Sequence, residues 1–193
     1  MILNYSMQNK NQTYLKKYSL IFSNILKKSF HDQKIAKCVK LIEGIKKQNK
    51  KIIIIGNGGS AAIASHATVD FLKVTKTKCI NFNDSSLITC FANDYGHDNW
   101  MKEAINHYAE RSDLLIAISS SGMSKNIINA CKEAKRKKIK SIITLTGFSK
   151  NNKIGKLGAI NFWVDSKVYN FVENIHQVII LAIVDCYNKT KIR

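Results

Sequence analysis

Apolar residues in the first fifty positions recur at helical spacing. Leu15, Tyr18, Phe22, Ile25, Leu26 and Phe30 fall along one face, and Asp32 is placed to cap a second helix carrying Ile35, Val39, Ile42 and Ile45. With no strand pattern between them, these two amphipathic helices read as an arm suited to an oligomer contact. From Lys51 the period changes. Residues 52–55 are four consecutive isoleucines, the signature of a short strand buried on both faces. A helix is expected over residues 60–73, a strand over 79–82, and helices over 85–92 and 99–109. Strands at 114–118, 141–145 and 160–164 follow, with a helix over 125–137 after the first of them. Residues 169–188 form a closing helix that is apolar around most of its circumference and is therefore expected to be buried. Alternating strands and helices predict an α/β fold with a parallel sheet covered on both faces.

Composition sharpens this picture in three places. The 193 residues are 45% hydrophobic and contain no proline, which fits one domain over residues 1–193, with an arm at 1–50 and an α/β core at 51–193. No apolar run approaches the length of a membrane span, and the start of the chain lacks the apolar core of a secretory signal. The five cysteines are scattered without CxxC spacing and read as buried thiols in a reducing compartment, so a cytoplasmic location is expected. The formal net charge of +18 raises a nucleic-acid interface. Its lysines are spread over every polar face, however, and the dense run at 132–140 ends a predicted helix, where cations complement the helix dipole. Direct nucleic-acid binding is therefore not expected, and neither is a membrane partner.

Two loops carry candidate chemistry. Gly56, Asn57, Gly58, Gly59 and Ser60 join the first strand to its helix, where glycines allow close backbone approach and a helix N-terminus favours an anion. The loop lacks the Gly-Lys-Ser/Thr of a nucleotide triphosphate site. Ala61 stands in the third position of the dinucleotide GxGxxG spacing, and no acidic residue closes the next strand to hold a ribose. Taken alone, this loop fits a simple turn as well as a phosphate site. Ser119, Ser120, Ser121, Gly122 and Ser124 form a second loop at the end of the third strand, again facing the carboxyl edge of the sheet. Two such loops favour a monophosphorylated small molecule, with no nucleotide cofactor.

The segments 56–60 (GNGGS), 92–96 (ANDYG), 118–124 (ISSSGMS) and 145–147 (LTG) resemble, in order and spacing, the sugar isomerase (SIS) domain family, and within it the bacterial phosphoheptose isomerases. The resemblance spans nearly the whole chain. It implies a three-layer α/β sandwich with a five-stranded parallel sheet, a homotetramer with active sites between subunits, and a phosphosugar substrate. The reaction it implies is interconversion of sedoheptulose 7-phosphate and D-glycero-D-manno-heptose 7-phosphate through an enediol. By matching position, Ser60, Ser119, Ser120, Ser121 and Ser124 would hold the phosphate, with Gly58 giving backbone access. Asn57, Asn93 and Asp94 would face the sugar.

The catalytic set implied by the resemblance is Asp70, His66 and His176. Asp70 stands where the family has a Glu four residues after a His. His66, Asp70 and Glu173 are the candidate ligands for one zinc ion per subunit, with Glu173 at a family Gln. Leu181 occupies the position of the family's second, catalytic His and can neither transfer a proton nor bind zinc. The resemblance therefore carries two readings. One is an isomerase with an altered catalytic set. The other is a catalytically impaired binding protein, like the SIS proteins that act as tetrameric adaptors for the bacterial replication initiator.

Overall fold

A computed structural model describes the backbone of residues 2–191 and the side chains of residues 10–191. Helices α1 (Ile2–Ser29) and α2 (Asp32–Lys47) lead into strand β1 (Lys51–Ile55) and helix α3 (Gly59–Asp70). Strand β2 (Lys78–Asn81), helices α4 (Ser85–Tyr95) and α5 (Trp100–Tyr108), strand β3 (Leu114–Ser119) and helix α6 (Lys125–Arg136) follow. Strands β4 (Ser141–Thr146) and β5 (Ile160–Trp163) and helix α7 (Tyr169–Asn188) complete the order.

The five strands form one parallel sheet in the order β2-β1-β3-β4-β5, with Ile52 beside Cys79 on one side and Leu114 on the other. Side chains alternate across the pleat, so the isoleucine run is divided between two cores. Ile52 and Ile54, with Leu114, Ile116 and Ile118, pack under α2, α3 and α7. Ile53 and Ile55, with Leu115 and Ala117, pack against α5 and α6. This is the expected three-layer sandwich; α7 buries one side, including Val172, Ile175, Ile179 and Ile183, while its other side, with Asn174 and Val178, is exposed.

Several boundaries differ from the sequence pattern for identifiable reasons. Helix α1 begins well before Leu15; residues 10–17 are exposed and leave no buried stripe to read as a period. Tyr18 and Phe22 pack edge-on against Phe171 of α7, whereas Tyr14 and Leu15 are 65% and 61% exposed. His31, not Asp32, is the residue preceding α2; Asp32 lies inside the first turn, where its charge complements the dipole. The helix expected over 60–73 stops being α-helical at Asp70 and widens into a π-helical turn over Phe71–Thr75. There the Thr75 hydroxyl donates to the Phe71 carbonyl at 2.7 Å, and Lys76 in the left-handed region ends the turn. The cysteines divide: Cys38, Cys79 and Cys131 are buried thiols with pKa pushed up to about 12 by burial, but Cys90 and Cys186 are exposed. All five are free. No helix among the described residues is long and apolar enough to cross a membrane.

At the amino edge of the sheet, the fully buried Asp113 carboxylate accepts from the backbone amides of Lys51 at 3.0 Å and Glu110 at 2.8 Å, and pairs with Lys51 Nζ at 2.8 Å. It fastens the start of β1 to the turn before β3. Removing the acid leaves two backbone amides without their acceptor and strips Lys51 Nζ of the shorter of its two ion pairs, the other being to Glu110 at 3.3 Å. Asp113→Ala is therefore expected to cost about 3–5 kcal/mol of stability, read as a lowered urea midpoint with an unchanged slope.

Candidate active site

The sheet changes direction between β1 and β3. The chain leaves β1 toward β2 on one side through α3 and leaves β3 toward β4 on the other through α6. In such sheets the crevice outside the carboxyl ends of those two strands is where ligands sit. Both candidate loops open onto it. They bound a cavity of about 280 Å³ lined by Asn57, Gly58, Gly59, Ser60, Ser119, Ser120, Ser121 and Ser124, with Ile118 in its floor and Tyr169 and Glu173 reaching in from α7.

The two loops are tied together. Asn57 and Asn126 exchange a reciprocal pair of amide hydrogen bonds at 3.0 and 2.9 Å. Ser119 and Ser124 hydroxyls stand 3.1 Å apart across their own loop. At Gly56 a side chain would strike the Ser60 backbone, so only glycine closes this turn. Among the described residues, no lysine or arginine lines the cavity. Its attraction for an anion rests on hydroxyls and on the N-termini of α3 and α6, both of which end at it. Phosphate fits that donor set without a cationic side chain.

One acid faces these donors. The Glu173 carboxylate lies against Gly59, in the space that a side chain at Gly59 would fill, and accepts from the Ser120 hydroxyl at 3.3 Å. This arrangement changes the role expected from the sequence. Glu173 sits in the phosphate cradle, whereas His66 and Asp70 form a separate pair farther along α3, with His66 Nε2 3.5 Å from Asp70 Oδ2. No group of three His, Cys, Asp or Glu side chains suited to a metal gathers among the described residues. A zinc set of His66, Asp70 and Glu173 is therefore not assembled within one chain.

The His66–Asp70 pair has a partner that the sequence pattern did not reveal. Gln177 on α7 lies 2.7 Å from His66 Nδ1. With the amide donating to Nδ1, the neutral ring carries its proton on Nε2, facing Asp70. The i, i+4 spacing on α3 aligns the acid and imidazole as expected, and both remain solvent-accessible. Val69, Leu72 and Val178 around them are exposed apolar residues. Leu181 lies one turn beyond Gln177 on the same face of α7, partly buried against the core.

Three other expected residues lie elsewhere. Asn93 and Asp94 sit in the last turn of α4, exposed and hydrogen-bonded to one another at 2.9 Å, and do not line the cavity. His176 is removed from the catalytic set: it is fully buried, with Nε2 3.2 Å from the Thr146 carbonyl and Nδ1 without a partner. Burial lowers its pKa to about 4, against a smaller upward pull from the Thr146 carbonyl. The unfolded chain titrates this group near 6.5, so between the two values the unfolded state binds more protons and stability falls as pH drops. This term is expected to remove about 2 kcal/mol between pH 7 and pH 5. Urea midpoints at both values, compared with those of His176→Gln, check it: the variant should lose less on acidification.

Fold and crevice together define a doubly wound α/β protein with a phosphate-sized cradle at the switch point of its sheet. The comparisons with known proteins agree. The SIS domain family model matches residues 13–147. The chain is 40% identical over 144 residues to the phosphoheptose isomerase of Buchnera aphidicola from Acyrthosiphon pisum, covering 70% of this chain and 72% of that protein. It is 34% identical over 138 residues to that of Cytophaga hutchinsonii, covering 69% and 72% respectively. The phosphoheptose isomerase structure from Neisseria gonorrhoeae superposes with a TM-score of 0.85 at 24% identity, over 93% of this chain and 99% of that one. The chain belongs to the SIS domain family.

Proposed function

We propose that the protein is an aldose–ketose isomerase acting on sedoheptulose 7-phosphate, the reading favoured by its phosphoheptose isomerase relatives. The observation that carries it is the pairing of a phosphate-sized hydroxyl cradle with an accessible carboxylate–imidazole pair on the same helix. The serine loops hold the phosphate and leave the carbon chain to extend along α3. Asp70 removes a proton from C1 of the ketose, and the carbonyl at C2 becomes the enediolate oxygen. His66, with its proton on Nε2, protonates the developing O2 oxyanion and then takes the O1 hydroxyl proton as C1 becomes the carbonyl; Asp70 returns its proton to C2, giving the aldose.

The site is completed between copies of the chain. Ten residues separate Ser60 from Asp70, about 15 Å along the helix axis, which a seven-carbon sugar bridges within one subunit only when fully extended. Exposed Val69, Leu72 and Val178 beside Asp70, and Tyr14, Leu15 and Leu20 along α1, supply apolar surface for neighbouring subunits in a homotetramer.

The test is to incubate the full chain with sedoheptulose 7-phosphate and follow the anomeric proton of the aldose by NMR, with the molar mass measured by light scattering. Turnover by a species of four chains is expected. Saturable substrate binding without turnover would leave a phosphosugar-binding protein and overturn the isomerase.

A further inference from the structure

A cavity of about 680 Å³ lies away from the crevice. It is formed where α1 turns into α2 beside the edge strand β5, and shares no lining residue with the serine loops. Four lysines line it: Lys28, Lys34, Lys37 and Lys150. His31 adds a fifth basic group, and Asp165 is the lone acid. Among the described residues none of these four ammonium groups has a carboxylate within ion-pair distance.

A chain this rich in lysine has other basic hollows. One of about 420 Å³ is lined by Lys125, Lys132, Lys153 and Lys156, so lysines alone do not mark a site. Three features set the larger cavity apart. Lys34 is half-buried and anchored, its Nζ donating to the Asn161 carbonyl at 2.8 Å and lying 5.9 Å from the Phe162 ring centre. Lys150 Nζ stands 5.7 Å from the centre of the Trp163 ring, which holds the ammonium at the cavity wall. The indole Nε1 of Trp163 is buried with no acceptor. A buried N–H donor without an acceptor costs about 1–3 kcal/mol and is rare in folded proteins.

Charge repulsion points the same way. Burial first, and the Lys150 charge second, draw the Lys34 ammonium below the ordinary lysine value. Burial and then the Lys34 charge do the same to His31, against a smaller opposing effect of Asp32. Convergent cations with Asp165 as the single lining acid, beside a buried indole N–H that has no acceptor, suit an anionic ligand. The volume suits a small organic phosphate.

We propose that this cavity is a second anion site, which takes a small phosphorylated ligand carrying two or more negative charges. Lys34 and Lys150 grip its oxygens, with Lys28 and Lys37 at the mouth and the Trp163 ring as the wall that seats Lys150. The inference is independent of the isomerase reading, because it uses none of the crevice residues.

Inorganic pyrophosphate is the probe. Trp100→Phe leaves Trp163 as the sole tryptophan, so its fluorescence reports the cavity in the otherwise unaltered full chain. At physiological salt, saturable quenching is expected, with the same affinity by calorimetry. Lys34→Gln with Lys150→Gln should weaken binding about tenfold or more, since each removes a charge-assisted contact. Lys132→Gln with Lys153→Gln, in the other basic hollow, should change it less than about threefold. Because Lys34 also anchors β5, Lys150→Gln and Lys37→Gln are measured singly as well, with thermal melts confirming the fold. Absence of saturable quenching, or equal weakening by the two double variants, would each overturn the proposal.

Discussion

Glu173→Gln is expected to tighten phosphate binding in the crevice by about tenfold to a hundredfold. The carboxylate of Glu173 lies against Gly59 at the start of α3 and accepts from Ser120, so it draws on the same donors that an entering phosphate needs. Two like charges about 5 Å apart repel by roughly 3 kcal/mol at the effective dielectric of a protein surface, and rotation of the acid out of the cradle recovers part of that. Glutamine keeps the length and an acceptor oxygen for Ser120 but removes the charge. The measurement is calorimetric titration with inorganic phosphate and with sedoheptulose 7-phosphate. An equal gain for both ligands places Glu173 against the phosphate itself. A gain for neither, or weaker binding to the sugar phosphate, would mean that Glu173 serves the sugar hydroxyls and does not compete for the cradle.

Glu173 also shows how far the sequence alone reaches. The strands were legible because β-branched residues occur in short unbroken runs, and the two loops because glycine and serine cluster where those runs end. The pairing of the loops into one cavity followed from parallel topology. What lay outside a one-dimensional reading is the choice among faces of α7. Glu173, His176 and Gln177 are within five positions of each other, yet one enters the cradle, one is sealed under β4 and one reaches across to His66. At 100° per residue a single step moves a side chain to a different environment, and only the packing of α7 against α3 and β4 sets which is which. A buried histidine and a site histidine look identical in sequence; desolvation separates them. Asn126 gave no signal either, because an isolated asparagine at a helix start reads as a local cap, whereas here it bonds to Asn57, sixty-nine residues away. The π-helical turn after Asp70 was equally hidden, since it follows from the Thr75 hydroxyl capturing the Phe71 carbonyl and not from periodicity.

Asp70→Asn is expected to lower kcat for sedoheptulose 7-phosphate by about 10²–10⁴-fold, the range general-base catalysis supplies, while leaving KM within a few-fold. The amide matches the carboxylate in size and keeps a hydrogen-bond acceptor toward His66 Nε2, so the fold and the neighbouring ring are preserved while the base is lost. Because the serine loops are built from β1, β3, α3 and α6, phosphate affinity should not follow kcat downward. Single-turnover kinetics with calorimetry on the same variant separates the two. Asp70→Glu carries the opposite expectation. It moves the carboxylate outward by one methylene, about an ångström, and misplacement on that scale can cost a hundredfold in rate. If the aspartate is too short for its substrate, the glutamate variant gains in kcat; if the backbone has adjusted through the π-helical turn that starts at Phe71, it loses. Coincident loss in both variants assigns the shorter side chain to a site reshaped around it. An unchanged kcat in Asp70→Asn would remove Asp70 from the reaction, leaving His66, held by Gln177, as the group to vary next. Leu181 makes the Asp70 measurement decisive: with no ionisable side chain at that turn of α7, the proposed isomerase is expected to rely on the pair on α3 for proton transfer.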